Sequence, residues 1–426
     1  MEVAPVIVII GLLIFLSHLF AAGFKLTKIP DILLLMLIGL AIGPAFHIVT
    51  PADFGKIGPI FTTITLIVIL FESGTSISIR NLLHAFLDTF LLTFLNFVVT
   101  TIFVAVLTYM MTGYGWTISI MFGSIVGGTS SAVVIPTVQN MTMQEKSKTI
   151  LILESALSDV LCIVVALALL EAIKIGKVDG QVLTVNMLLS FAIAAVIGIG
   201  AGVAWSFLIN RIRTIQNSIL TTPFFVFVIY GLVEMWGYSG AIASLAFGIV
   251  LGNMDLLNFF KRIFRFEPVP LIDMEKRFFA EVAFLLKTFF FIYVGISIQM
   301  TNTHYILAGL LLTVIIFLSR IPVVWSSVSR ETPVPDVSLM AVMTPKGLAA
   351  AVLASMPLQH GSSGGEFIQN VTYSIVLFTI VLTSIMIFLL SNTSVAKLYT
   401  RIFSSFGRIQ ADKESIEYIE DHYCPE

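Results

Sequence analysis

Four oxygen-bearing side chains share one short, otherwise apolar segment of the sequence, Leu153-Glu154-Ser155-Ala156-Leu157-Ser158-Asp159-Val160. If the segment is helical, Ser155 and Asp159 lie on one face, and Glu154 and Ser158 lie on the face beside it. Two carboxylates and two hydroxyls suit a hard cation such as Na⁺, which prefers oxygen ligands. A carboxylate can also hold a proton. The segment is therefore the first candidate for an ion site.

Other charged residues also lie in apolar surroundings, notably Lys346 and Glu72. A charged side chain at the centre of a bilayer costs at least about 2.5–3.5 kcal/mol on insertion scales, so each such residue is a functional candidate. Asp88, Glu281 and Lys287 are nearer the ends of apolar stretches, where snorkelling to the membrane surface explains them. A structural ion pair remains an equally good interpretation of Glu154, and serines can bond back to their own helix.

Two apolar stretches contain helix breakers. One carries Gly127-Gly128-Thr129-Ser130-Ser131 followed by Pro136, and the other carries Thr344-Pro345-Lys346-Gly347. Non-helical backbone inside a bilayer must be buried in protein or line a wet cavity. Lys346 could offset the partial negative charge of a helix that ends within the membrane, or it could pair with Glu154.

Composition predicts where these segments lie. Of 426 residues, 58% are hydrophobic and 11% are charged, whereas soluble domains carry about 25% charged residues. The net charge of −2 offers no basic surface for nucleic acid. Cys162 and Cys424 provide neither a disulfide framework nor a zinc site. We therefore predict an all-α polytopic membrane protein.

The apolar stretches predict thirteen transmembrane spans, which places the two termini on opposite sides of the membrane. The spans are 3–24, 30–49, 57–79, 82–111, 115–140, 148–173, 183–209, 219–235, 237–253, 278–299, 304–327, 336–358 and 368–396. With the N-terminus outside, 18 basic residues, Arg320 among them, fall on the cytoplasmic side and three fall outside. This asymmetry favours a cytoplasmic C-terminus. Segment 255–272 is predicted to be an amphipathic helix on the inner surface.

Spans five and twelve are the two interrupted ones. They occupy corresponding positions if spans 1–6 and 8–13 are two inverted repeats joined by span seven. Interrupted segments at matching positions of two repeats indicate a transport site near the middle of the membrane.

These motifs resemble the archaeal and bacterial NhaP-type sodium/proton antiporters of the monovalent cation/proton antiporter superfamily. The resemblance rests on Glu154-Ser155-x-x-Ser158-Asp159, on the break at Thr129 and on Pro345-Lys346-Gly347. It is supported less specifically by Phe71-Glu72-Ser73-Gly74 and by Phe291-Ile292-Tyr293-Val294-Gly295. Thirteen spans with broken, crossing helices five and twelve are also the arrangement of that family.

The resemblance implies a homodimer in the cytoplasmic membrane. Residues 1–81 would supply interface helices 1–3, and residues 174–300 would supply linker helix 7 and interface helices 8–10. Residues 82–173 and 301–398 would form a moving core of helices 4–6 and 11–13, followed by a cytoplasmic tail at 399–426.

The resemblance also implies roles for single residues. Asp159 would bind Na⁺ and carry the proton, with Ser155, Glu154 and an oxygen of Thr129 beside it. Ser158, Lys346, Ser130 and Glu72 would support the site, and Lys346 would pair with Glu154.

Two departures from the family bear on the ion. Ser158 stands where electroneutral relatives have Asn and electrogenic relatives have a second Asp, which favours one-for-one exchange. Ser130 stands where relatives often have Asp, which resembles the branch that includes potassium/proton antiporters.

The sequence therefore predicts a secondary transporter rather than an enzyme, with no cofactor, that exchanges Na⁺, and possibly Li⁺, for H⁺ at Asp159. Potassium/proton antiport and sodium-coupled symport of an organic solute remain open alternatives. A passive channel is also open, whereas an intramembrane protease is disfavoured because no His-Glu-x-x-His zinc motif is present.

Overall fold

The computed structural model describes residues 3–27, 30–55, 57–77, 79, 86–175, 180–214, 221–254, 271–299 and 302–407. Within these residues the fold is all-helical and has no strands. Sixteen α-helices, α1 to α16 in chain order, span Val3–Thr27, Asp31–Leu40, Ile57–Ser76, Phe86–Thr112, Trp116–Ile125, Ser131–Gln139, Glu145–Ile175, Gly180–Ile212, Thr221–Met235, Gly240–Gly252, Asp273–Ser297, Thr303–Ser327, Val334–Val342, Leu348–Gln359, Gly365–Asn392 and Val395–Ile402.

The apolar helices match the predicted spans one for one. Six helices of the described chain are long and apolar enough to cross a bilayer, and seven shorter apolar helices accompany them. The six long helices correspond to spans four, six, seven, ten, eleven and thirteen. The shorter helices supply the other spans, including one half of each broken span.

Both predicted breaks are present, and local sequence explains them. Helix α5 ends at Ile125, just before Gly127-Gly128, and α6 begins after Ser130. Helix α13 ends at Val342, and α14 begins after Gly347. Pro345 falls between these two helices, where its missing N–H and fixed φ disfavour a continuous helix. Four helix ends therefore meet inside the bundle.

The helices pack in two groups. Helices α4 to α7 pack among themselves and with α12 to α15, whereas α2 and α3 pack mainly with α10 and α11. The long helix α8 packs on α10. The first group holds both breaks, so the surrounding helices bury the irregular backbone as the bilayer requires. That one group moves while the other forms a dimer contact stays a prediction.

The end of the chain differs from its predicted form. We predicted that span thirteen continues to residue 396 and that a cytoplasmic tail starts at 399, whereas α15 ends at Asn392 and a separate short helix, α16, follows it. Tyr399, Phe403 and Phe406 are buried in an apolar cluster with Val337 and Met340 of α13. This segment is therefore part of the packed bundle. Most of the predicted inner-surface helix, 255–270, and residues 408–426 lie outside the described residues.

Candidate functional site

The two broken spans touch each other directly. The backbone N–H of Ser130 donates to the carbonyl of Pro345 at 2.7 Å. Gly347 lies so close to the Ser130 side chain that a Cβ on residue 347 would overlap it. The absence of a side chain at Gly347 thus permits the crossing, and the hydrogen bond from Ser130 to Pro345 joins the two breaks.

Helix α7 packs against the first break and holds it in place. The N–H of Thr129 donates to Ser158 Oγ at 3.0 Å, and the two hydroxyls are 3.3 Å apart. A Cβ on Gly128 would meet Cys162 Sγ at 2.8 Å and the carbonyl of Ser158 at 3.1 Å. The predicted supporting role of Ser158 is therefore physically reasonable, because its hydroxyl satisfies a backbone group that left the helix.

Lys346 also satisfies broken backbone. Its Nζ donates to the carbonyl of Gly128 at 2.7 Å, and its own N–H donates to Thr379 Oγ1 at 3.0 Å. The side chain is 1% exposed. This contact agrees with the prediction that Lys346 offsets the negative end of an interrupted helix.

The predicted pair between Lys346 and Glu154 is wrong. Glu154 instead binds Arg320 of α12 through two hydrogen bonds, from Nη1 to Oε1 at 2.5 Å and from Nη2 to Oε2 at 2.7 Å. Arg320 is fully buried, and its Nε also donates to the carbonyl of Met340. We had counted Arg320 among the cytoplasmic basic residues because it lies one and a half to two turns from the end of its span. Its planar guanidinium satisfies both carboxylate oxygens, which a single ammonium cannot do in this geometry.

Asp159 has a different environment on the same helix. Ser131 Oγ, in the first turn of α6, donates to Asp159 Oδ2 at 3.0 Å. Asp159 is partly exposed, whereas Glu154 is buried. Ser155, which lies one turn before Asp159, donates its hydroxyl to the carbonyl of Ile152. Asp159 therefore keeps oxygen lone pairs that could accept a cation or a proton.

Five of the eight predicted site residues come together around the crossing, whereas Glu154 binds Arg320, Ser155 bonds to its own helix and Glu72 lies on α3. Thr129, Ser130, Ser158, Asp159 and Lys346 surround the joined breaks through the contacts above. The sequence analysis missed the contacts made by Ser131, Arg320 and Lys287. The role of Ser131 could have been predicted, because it is the last residue of the interrupted segment. The partners of Arg320 and Lys287 could not, because they are distant in sequence.

The position of Lys287 in the sequence suggested a side chain that snorkels to the membrane surface, but the structure places it in an ion pair inside the bundle. It lies within α11, and its Nζ is 3.4 Å from Glu72 Oε2 of α3. Asp88 does lie near an end, in the first turn of α4 and 3.0 Å from Lys146. Glu72 is thus an ion-pair partner on the second group of helices.

Two cavities approach the crossing from opposite ends of the bundle. The inner cavity, of about 240 Å³, is lined by Asp31 and Lys287 and by Ala132, which follows the Ser131 that binds Asp159. The outer cavity, of about 620 Å³, is lined by Glu171, Glu234 and by apolar side chains of α7 and α14. On the predicted orientation, the inner cavity opens towards the cytoplasm.

Similar proteins were found by sequence and by structure. Residues 11–392 match the family model described as "Sodium/hydrogen exchanger, transmembrane". A protein of Methanocaldococcus jannaschii named "Probable Na(+)/H(+) antiporter 2" is 27% identical, over 80% of this chain and 83% of its own length. The "K(+)/H(+) antiporter NhaP" of Alkalimonas amylolytica is 22% identical, over 88% of this chain and 64% of its own length.

A solved structure shares the fold. The sodium proton antiporter MjNhaP1 from Methanocaldococcus jannaschii at pH 8 superposes with a TM-score of 0.72 and 22% identity, covering 90% of this chain and all of that one. The family match spans both broken helices and every residue of the crossing. This chain therefore belongs to the transmembrane sodium/hydrogen exchanger family.

Proposed function

We propose that this protein exchanges Na⁺ for H⁺ across the cytoplasmic membrane, one for one, through competition at Asp159. The observation that carries the proposal is the contrast between two acids of α7. Both oxygens of Glu154 are taken by Arg320, whereas Asp159 is partly exposed beside the crossing and accepts a hydrogen bond from Ser131.

Competition is sufficient to couple the two ions. The Asp159 carboxylate accepts either a proton or a cation, and either partner neutralises its charge. A neutral site crosses the membrane interior at much lower energy than an empty carboxylate, because a bare charge is costly to desolvate. Each ion therefore moves only when the other moves in the opposite direction. No redox or group-transfer chemistry is needed, and no resident cofactor is required.

Thr129 and Ser155 complete the proposed cation site. Thr129 lies in the first break and Ser155 lies on α7, which packs against that break, and oxygen donors of this kind suit Na⁺ and Li⁺. Glu154 stays a predicted contributor to the cation site, and its bond to Arg320 also gives it a structural role. Ser158, Ser130 and Lys346 hold the backbone of the breaks.

Sodium/proton exchange in proteoliposomes tests the proposal. An imposed Na⁺ gradient is expected to drive proton movement with the parent protein, and Asp159→Asn and Asp159→Ala are expected to abolish it. Asp88→Asn is the matched control, because Asp88 pairs with Lys146 near a helix end. Undiminished exchange by both Asp159 variants would refute the site. A membrane potential generated by turnover would refute one-for-one exchange.

Potassium is the second candidate cargo. It is favoured by the similarity to a protein named as a K⁺/H⁺ antiporter and by the serine, rather than an acid, at Ser130. The same liposomes with K⁺ in place of Na⁺ decide between the two ions. Sodium-coupled solute symport predicts instead that Na⁺ enters without proton counterflow. We also propose that the protein forms homodimers.

A further inference from the structure

Lys287 is a charged residue deep in the molecule that the proposed exchange does not use. It lies fourteen residues after the start of α11 and ten before its end. With a rise of about 1.5 Å per residue, its Cα is roughly 15 Å or more from either end of the helix. Its side chain lines the inner cavity together with Asp31. An ammonium at this depth is costly unless it serves the structure or the function.

One carboxylate pairs with this ammonium, and two others lie within its electrostatic influence. Glu72 of α3 is 3.4 Å away, and Lys287 also interacts electrostatically with Asp31 of α2 and with Asp159 of α7. Lys346 is the other cation that acts on Asp159. Counting one charge for each ionised group, Asp31, Glu72, Asp159 and Lys287 sum to −2, and without the lysine they would sum to −3.

The Lys287–Glu72 pair is also partly exposed, unlike the buried pair between Arg320 and Glu154. Its side chains are 24% and 27% exposed, whereas Arg320 and Glu154 are 0% and 1% exposed. Of the two partners, Lys287 lines the inner cavity. A cation that enters the inner cavity therefore meets the field of Lys287 before it reaches the crossing.

The effect of that field depends on the charge of the ion. Coulomb energy is proportional to charge, so a given change in potential acts on a divalent cation twice as strongly as on Na⁺. Among the residues that the structure describes, no three His, Cys, Asp or Glu side chains converge closely enough to hold a metal ion. A difference between divalent and monovalent cations in this cavity would therefore come from the potential rather than from a coordination shell.

We propose that Lys287 is a specificity-determining residue, a tethered cation that limits how strongly the inner cavity attracts cargo and keeps divalent cations out of it. The identity of the cargo rests on the proposed function. The exclusion of divalent cations does not, and it can be measured by binding alone.

The test compares Lys287→Met and Lys287→Gln with the charge-conserving Lys287→Arg. Na⁺/H⁺ exchange is measured from the cytoplasmic face, with Mn²⁺ as inhibitor, and Mn²⁺ binding to purified protein is followed by electron paramagnetic resonance. The neutral variants are expected to lower both the KM for Na⁺ and the inhibition constant of Mn²⁺. If the KM falls n-fold, the inhibition constant should fall about n²-fold, because the two ions differ twofold in charge. Lys287→Arg is expected to behave like the parent.

A charge-balanced variant separates electrostatics from structure. Lys287→Met combined with Glu72→Gln removes both charges of the pair, so the total returns to −2 and both constants are expected to return towards parental values. Lys146→Met is the matched control, because it removes a lysine from a pair with Asp88 that lies outside the cavity. It is expected to change neither constant.

Three results would overturn the inference. They are unchanged Mn²⁺ binding in both neutral variants that elute as folded protein, failure of the charge-balanced variant to reverse the effect, and an equal effect of Lys146→Met. If the parent shows no Na⁺-driven proton movement, the proposed function fails. The Mn²⁺ binding series then still decides the role of Lys287.

Discussion

Two acids five residues apart on α7 illustrate how neighbours decide what a charge can do. The guanidinium of Arg320 presents two parallel N–H groups to Glu154, so the carboxylate is satisfied in a dry environment. Asp159 receives one hydroxyl from Ser131 and is partly exposed. The first acid is suited to holding three helices together, and the second is suited to exchanging a ligand.

The buried pair gives a stability prediction. Arg320→Met leaves the Glu154 carboxylate buried without its partner, and Glu154→Gln weakens the bidentate bond to Arg320. Breaking a buried pair by removing one partner costs about 3–5 kcal/mol, so we expect Arg320→Met to lower the thermal unfolding temperature in detergent. The double variant Arg320→Met with Glu154→Leu should recover much of the loss, because no unpaired charge remains. A single variant as stable as the parent would contradict the structural role.

The hydrogen bond of Asp159 gives an affinity prediction. Ser131→Ala removes a hydroxyl that orients the carboxylate, and we expect the KM for Na⁺ to rise several-fold while the protein remains folded. Ser131→Thr keeps the hydroxyl and should stay near the parental KM. Ser155→Ala is the informative comparison, since the Ser155 hydroxyl bonds to its own helix. A larger rise in the KM for Na⁺ from Ser155→Ala than from Ser131→Ala would favour Ser155, the residue assigned from the sequence, over Ser131 as the neighbour that supports Asp159.

Residue types predicted the candidates better than they predicted the partners. Charges in apolar stretches pointed to Glu154, Asp159 and Lys346 because desolvation makes such residues rare. The partner of Glu154 lies 166 residues away in sequence, and helical periodicity carries no information about which helices are neighbours. The sequence therefore could not pair Arg320 with Glu154.

At the scale of elements, the fold depends on two helices that stop inside the bundle. Their ends bring backbone groups without helical partners into the interior, and side chains and a carbonyl of neighbouring segments satisfy some of them. Lys346 donates to the carbonyl of Gly128. The hydroxyl oxygen of Ser158 accepts from the N–H of Thr129, and the carbonyl of Pro345 accepts from the N–H of Ser130. The crossing is thus a polar cluster enclosed by apolar helices.

The close contact at the crossing can be tested with glycine variants. Gly347→Ala would place a Cβ against the Ser130 side chain, so we expect exchange to fall at least tenfold or the unfolding temperature to drop. Gly200→Ala is the matched control, because it lies within α8 and has no neighbouring atom within 4 Å. Alanine favours a helix over glycine by about 1 kcal/mol, so the control should be neutral or slightly stabilising. Parental exchange and stability in Gly347→Ala would contradict the described crossing.

The number of spans and the positions of both breaks could be predicted because hydropathy, glycine and proline act locally. The inner-surface contact of α16 could not, because its aromatic side chains are buried by α13 and only the tertiary structure shows this. The amphipathic segment that follows α10 falls outside the described residues, so its form stays a prediction.

At the scale of the whole molecule, two groups of helices meet around the site, and a cavity approaches from each end. Asp159 belongs to the group that contains the crossing, whereas Glu72, Asp31 and Lys287 belong to the other group. A shift of one group against the other would therefore change the distance between Asp159 and Lys287. The proposed exchange requires a movement that exposes Asp159 first to one side of the membrane and then to the other, and we propose that such a shift provides it.

The orientation of the chain can be tested with its own cysteines. Cys162 is buried, and Cys424 lies in the polar C-terminal segment. A membrane-impermeant maleimide is expected to label the protein in inverted vesicles but not in intact cells, because the distribution of basic residues predicts a cytoplasmic C-terminus. Cys424→Ser should remove the signal. Labelling in intact cells would reverse the assignment of the inner and outer cavities.

The contact between Ser130 and Gly347 has an evolutionary consequence. The side chains at both positions share one small volume, so a larger residue at one position requires a smaller residue at the other. A lineage that enlarges residue 130 is confined to glycine at 347, and any lineage that abandons this glycine first has to shrink its counterpart. A variant that enlarges residue 130 should therefore keep glycine at position 347.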